Sequence, residues 1–95
     1  MKHIANYKDF LNEGMSDAKV AKLLRSISSE RLDDPMEYGE YLKDYYDNPE
    51  EYDIDEDGEY YRAIQTAWYQ IKDDYSVGNK STIRNNKIYK LYLRK

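Results

Sequence analysis

The chain has 95 residues, a formal net charge of −4 and no cysteine. That length supports one modest core, and the lack of cysteine excludes disulfide scaffolds, thiolate nucleophiles and cysteine-ligated zinc. No apolar run approaches the roughly 20 residues that a membrane-spanning helix needs, and the N-terminus lacks the apolar segment of a secretory signal; a soluble, single-domain protein of a reducing compartment such as the cytosol is expected.

Four segments carry a helical period. About residues 3–13 place Ile4, Tyr7 and Leu11 on one face and stop at Gly14, a good C-cap residue. A second helix follows Ser16, a natural N-cap, and aligns Val20, Leu23, Leu24 and Ile27. A third opens on Asp34-Pro35, cap then proline at the first helical position, stacks Tyr38, Tyr41, Leu42 and Tyr45, and ends at Asn48-Pro49. The fourth follows Gly58, aligns Tyr60, Ile64, Ala67, Trp68, Ile71 and Tyr75, and ends before Gly78.

Residues 79–95 are ambiguous. Tyr89, Leu91 and Leu93 alternate as in a strand, with a turn at Asn85-Asn86. Ile88, Leu91 and Tyr92 suit a fifth helix equally. The alternation tips the reading toward a short hairpin. The expected fold is thus mainly α: a small bundle of about four helices, with a C-terminal β-hairpin as an α+β variant.

Charge is sharply partitioned. Residues 33–60 hold thirteen acids and one base, Lys43, whereas residues 79–95 hold six bases and no acid. Such asymmetry means that the two ends attract each other or that one engages a charged partner. On the third helix Glu37, Glu40, Asp44 and Asp47 recur at spacings of three and four, opposite the tyrosine–leucine stripe. Over ten residues these charges span about 15 Å, and with the neighbouring acids they approach the density of a DNA strand, with one phosphate per ~3.4 Å. A solvated helix face is the plain reading; a surface that occupies the basic groove of a nucleic-acid-binding protein is the functional one.

Twelve tyrosines against one phenylalanine add to that surface. Tyr69 falls on the polar side of the fourth helix, and Tyr46 and Tyr61 flank their apolar stripes; tyrosine is favoured at recognition surfaces because it supplies area with few rotatable bonds. The basic tail, with Tyr89 and Tyr92 interleaved, could touch phosphates, but the overall acidity opposes direct nucleic-acid binding.

The acidic stretch YDIDEDGEYY raises a metal question. Asp53, Asp55, Asp57 and Gly58 occupy positions 1, 3, 5 and 6 of a calcium loop, and Glu59 would offer the carbonyl of position 7. Position 12, which needs a bidentate glutamate, is Ile64 on the apolar face of the fourth helix. The reading without metal has Asp57 capping that helix, with Asp53, Asp55, Glu56 and Glu59 near its positive end. Helix capping is favoured, and weak calcium binding stays as an alternative.

Other chemistry finds little footing. His3 is the sole histidine. The glycines at 14, 39, 58 and 78 form no phosphate loop, and Ser26, Ser28 and Ser29 have no activating base. Asp17-Ala18-Lys19 lies in a first helical turn without companion acids. No enzyme and no cofactor are expected.

The segment MKHIANYKDFLNEG resembles the N-terminal leaders of small proteins of T4-type tailed phages, in which a short amphipathic segment ending in Leu-x-Glu directs the protein into the prohead and a protease cuts after the glutamate. Here Leu11-Asn12-Glu13 would place the cut before Gly14; Ile54-Asp55-Glu56 matches the tripeptide as well. The resemblance implies either an early protein that binds and inhibits a host protein in the bacterial cytoplasm, in some cases by imitating DNA, or an internal protein of the virion. The first fits the acidic, tyrosine-rich surface. The packaged virion protein and a calcium-binding helix-loop-helix module are the alternatives.

Overall fold

Caps set the helix boundaries in the computed structural model, which describes residues 15–28 and 31–94. Helix α1 spans Asp17–Ile27, and the Ser16 hydroxyl accepts the Lys19 N–H at 3.1 Å. Helix α2 spans Pro35–Asp47; the Asp34 carboxylate accepts the Glu37 N–H at 3.1 Å, and Pro35 takes the position whose N–H would be unpaired anyway. Its end is closed by Asn48, whose N–H bonds to the Asp44 carbonyl at 2.9 Å. A single 3-10 turn, Pro49–Tyr52, leads to Asp53 in the left-handed region and then to helix α3, Glu59–Ser76.

Helix α3 stops as the sequence indicates. Gly78 takes a φ of 71°, its N–H bonds to the Tyr75 carbonyl at 3.1 Å, and the Asn79 N–H reaches back to the Asp74 carbonyl at 2.8 Å. These are the two bonds of a Schellman close, which favours glycine because a side chain at positive φ is strained.

Beyond it the C-terminal reading must be corrected. Residues 80–93 form two short helices, α4 at Lys80–Arg84 and α5 at Lys87–Leu93, and no strand occurs among the described residues. Asn86 is a helix cap instead of a hairpin turn: its side chain accepts the Tyr89 N–H at 3.1 Å. The buried set is Ile88, Tyr89 and Tyr92, a helical face, while Leu91 and Leu93 are half-buried. The bundle therefore has five described helices, two more after the fourth expected one. The expected first helix, about residues 3–13, lies outside the described residues.

Helix α3 is the axis of the bundle, packing on α2, α1 and α4, while α1 also lies against α5. Its apolar stripe is Ala63, Ile64, Ala67, Trp68 and Ile71, all buried; Tyr60, expected on that stripe, is instead 42% exposed. Alanines 63 and 67 let neighbouring backbones approach, and Val20, Leu24 and Leu42 fill the space between. Each such fully buried aliphatic side chain contributes about 1.5–3 kcal/mol of transfer free energy.

Tyrosine takes the place that phenylalanine has in most cores. Tyr38, Tyr89 and Tyr92 are fully buried, with the Tyr38 ring centroid 4.3 Å from that of Tyr89 and 5.2 Å from that of Tyr92. The phenols find backbone partners. Tyr41 donates to the Leu24 carbonyl at 2.8 Å, Tyr89 donates to the Leu32 carbonyl at 3.2 Å, and Tyr92 accepts the Leu32 N–H at 3.0 Å. Two residues of α5 thus hold both polar groups of one residue in the α1–α2 connection. The Tyr38 hydroxyl has no hydrogen-bond partner among the described residues.

Candidate functional site

Helix α2 turns two chemically different flanks outward. One carries the acids. Glu37, Glu40, Asp44 and Asp47 all line one open depression of about 850 Å³, together with Tyr41 and Tyr45. Glu37, Glu40 and Asp47 are exposed and Asp44 is half-buried. The helical spacing that suggested a common face is thus realised as one.

Partners within this flank are few. Lys43 donates to Asp47 at 2.9 Å across one helical turn, an exposed pair that raises the lysine pKa through the hydrogen bond and the carboxylate charge. Asp44 is the most engaged acid. It accepts from Tyr52 and from the Asn48 side chain, the latter at 3.0 Å. The Tyr52 phenol is pushed up to about 12, first by this hydrogen bond, because ionising it would place a second negative charge against the carboxylate. Tyr52 stacks on Tyr45 with centroids 4.0 Å apart, so the 3-10 turn is tied to the end of α2.

Helix α4 packs on α2, but no cation of residues 80–94 lines this depression. Tyr89 and Tyr92 fix α5 to the tyrosine core on the buried side of α2, and α5 packs along α1. Among the described residues the ion pairs are Lys43–Asp47, Lys19–Glu59 at 3.3 Å and Lys87–Asp17 at 3.9 Å. Glu37 and Glu40 pair with none of these cations. The interleaved tyrosines of the basic tail are buried and unable to stack on a nucleobase, although the cations between them remain exposed.

The other flank of α2 carries phenols. Tyr46 faces α3, where its ring stacks on Tyr61 with centroids 5.7 Å apart and meets Tyr69 edge-on at 5.6 Å. The Tyr46 and Tyr69 hydroxyls are 2.8 Å apart, and Tyr61 donates to the Tyr46 carbonyl at 3.3 Å. Tyr69 is 49% exposed, and the Lys72 ammonium lies 4.9 Å from its ring centroid. The hydrogen bond between the two phenols pushes Tyr46 up to about 12 and lowers Tyr69. A negative charge is better placed on Tyr69, beside the lysine and closer to water. The acids and these three tyrosines were expected to form one surface; the structure sets the acids on one flank of α2 and gathers the tyrosines at another, where Tyr46 of α2 meets Tyr61 and Tyr69 of α3.

The acidic stretch 53–59 does not converge on a point. The Asp55 carboxylate accepts the Asp57 N–H at 2.9 Å, Glu59 pairs with Lys19, and Ile64, at the position of the missing glutamate, is fully buried. Among the described residues no group of three acidic, histidine or cysteine side chains is gathered for a metal ion. The expected helix cap also needs correction. Gly58, not Asp57, is the N-cap of α3, and no side chain caps it. Asp57 lies one residue before the cap, with its own N–H bonded to the Asp55 carboxylate. Leu11, Glu13 and Gly14, the residues of the leader-like cleavage site, lie outside the described residues.

Sequence reasoning missed the Tyr46–Tyr69 contact and the Leu32 clamp, since nothing in their spacing signals a pairing between helices. Among the described residues no helix is long and apolar enough to cross a membrane. The described residues define a small helical fold of five short-to-medium helices. Compared with protein-family models, curated proteins and solved structures, the chain matches none.

Proposed function

We propose that this is a non-enzymatic binding protein whose α2 acid flank seats on a cationic surface of a partner protein. One observation carries the reading: Glu37, Glu40, Asp44 and Asp47 line one open depression, and no cation of residues 80–94 lines it with them. Four carboxylates beside one already paired lysine produce a local negative potential that steers association and favours partners of opposite charge. The leader-like residues 1–14 support a setting in a tailed phage, with a nucleic-acid-binding host protein as the target and inhibition by occupation of its phosphate-binding groove as the mode of action. Affinity capture from a bacterial lysate tests this. The expected result is retention of a basic, nucleic-acid-binding protein that elutes with salt and is lost with Glu37→Lys/Glu40→Lys; retention indifferent to both would overturn the proposal.

A further inference from the structure

Three tyrosines of the described chain are both large and exposed, and their hydroxyls stand in three different settings. Tyr52 is 38% exposed and donates its proton to the Asp44 carboxylate. Tyr60 is 42% exposed, at the first turn of α3, and its hydroxyl makes no hydrogen bond among the described residues. Tyr69 is 49% exposed, lies 2.8 Å from the Tyr46 hydroxyl, and has the Lys72 ammonium 4.9 Å from its ring centroid.

We propose that the Tyr46–Tyr69 pair makes Tyr69 the most nucleophilic phenol among the described residues and their preferred site of covalent modification by an activated acyl donor. Besides a hydrogen bond with Gln65, two surrounding groups favour negative charge on the Tyr69 oxygen. Either phenol can donate while both are protonated. Once Tyr69 loses its proton the Tyr46 hydroxyl donates to it, and Tyr46, the less exposed partner, is the poorer place for that charge. The Lys72 ammonium supplies an opposite charge one helical turn away. Stacking on Tyr61 holds the Tyr46 ring in place, so the donor is positioned before any reagent arrives. The lowered pKa of Tyr69 agrees with this geometry. At Tyr52 the neighbouring carboxylate does the reverse, holding the proton on the phenol and repelling a phenolate.

The step is simple acyl transfer. The Tyr69 oxygen attacks the acyl carbonyl, a carbon–oxygen bond forms, the bond to the leaving group breaks, and the phenol proton ends on that group. No oxidant or reductant is involved. This surface is separate from the acid flank, so the inference stands or falls independently of the proposed partner.

N-acetylimidazole is a suitable probe, with imidazole as the leaving group and peptide mapping by mass spectrometry as the readout. In the intact protein at neutral pH, Tyr69 should be acetylated several-fold faster than Tyr60, and Tyr52 slowest. Exposure alone would make the three nearly equal. Tyr46→Phe keeps the stacked ring and removes the donor, and should slow Tyr69 most of the way toward the rate of Tyr60. Lys72→Met changes an exposed side chain and should slow it in part. Tyr60 or Tyr52 reacting as fast as Tyr69, or a Tyr69 rate unmoved by Tyr46→Phe, would overturn the assignment.

Discussion

The phenol oxygen of Tyr92, near the end of α5, accepts the backbone N–H of Leu32 at 3.0 Å, joining two residues 60 positions apart in the chain. Tyr89 completes the contact by donating to the Leu32 carbonyl at 3.2 Å. Leu32 lies outside any helix and is half-buried, so its backbone polar groups need partners there. Phenols supply them while their rings fill the interior. Tyr92→Phe should therefore leave the Leu32 N–H unpaired and destabilise the fold by about 1–3 kcal/mol. Denaturant unfolding of the variant checks this, and unchanged stability would mean that the clamp is dispensable.

Tyr38 gives the contrasting case within the same cluster. Its hydroxyl is buried without a partner among the described residues, so removing it deletes an unpaired polar group instead of orphaning one. Tyr38→Phe should be neutral or stabilising by up to about 1 kcal/mol, whereas Tyr41→Phe, which frees the Leu24 carbonyl, should be destabilising. The two unfolding midpoints should move in different directions relative to the parent.

Burial of phenols also sets an alkaline limit. Tyr89 is pushed up to about 12, first by desolvation and then by Asp33 and Asp34, and burial raises Tyr38 and Tyr41 as well. A phenol of ordinary pKa 10 that is raised on folding binds its proton more tightly in the native state. Its stabilising contribution is complete below pH 10 and is lost as pH rises toward about 12. Between those values each such group should lower stability by about 1.4 kcal/mol per pH unit. Urea midpoints measured from pH 8 to 12 should hold steady to about pH 10 and then fall; a flat profile would contradict the buried tyrosine core.

Gly39 of α2 lies against the Tyr75 ring of α3. A Cβ there would overlap the Tyr75 ring, which itself meets Trp68 edge-on with centroids 5.6 Å apart. Alanine would gain about 1 kcal/mol in helix propensity, but overpacking costs typically about 1–3 kcal/mol. Gly39→Ala should be net destabilising and should shift the fluorescence of Trp68, the sole tryptophan. Stabilisation with an unchanged spectrum would show that the ring moves freely.

The acidic turn should be indifferent to calcium. Asp55 is spent on the Asp57 N–H and Glu59 on Lys19, and the closing ligand position is a buried isoleucine. Titration to millimolar calcium should release no heat and leave the melting temperature unchanged. A saturable heat that Asp55→Asn abolishes would restore the calcium reading.

Local signals made much of this fold legible in the sequence. Ser16, Asp34-Pro35 and Gly78 mark helix ends through bonds made within a few residues, and each sits where its chemistry requires. The C-terminal segment was less legible for a physical reason. Asparagine serves turns and N-caps alike, and seven residues are too few to separate a period of 2 from one of 3.6 when Ile88, Tyr89, Leu91, Tyr92 and Leu93 are all apolar. The acid flank followed from spacing because it belongs to one helix. The Tyr46–Tyr69 pair and the Leu32 clamp join elements distant in sequence, so only packing reveals them.

The central claim is that the exposed carboxylates of α2 attract a basic partner. Its most direct test is the salt dependence of Kd for the protein captured from lysate, measured for the parent chain and for Glu37→Gln/Glu40→Gln, with circular dichroism confirming that both are folded. Affinity should fall as salt rises from 50 to about 200 mM, since screening shortens the reach of exposed charges to about 8–10 Å. The double variant should bind at least about tenfold more weakly at low salt, roughly 1.4 kcal/mol, with a shallower dependence. Equal affinity and equal salt slopes for the two proteins would contradict the assignment of binding to this flank.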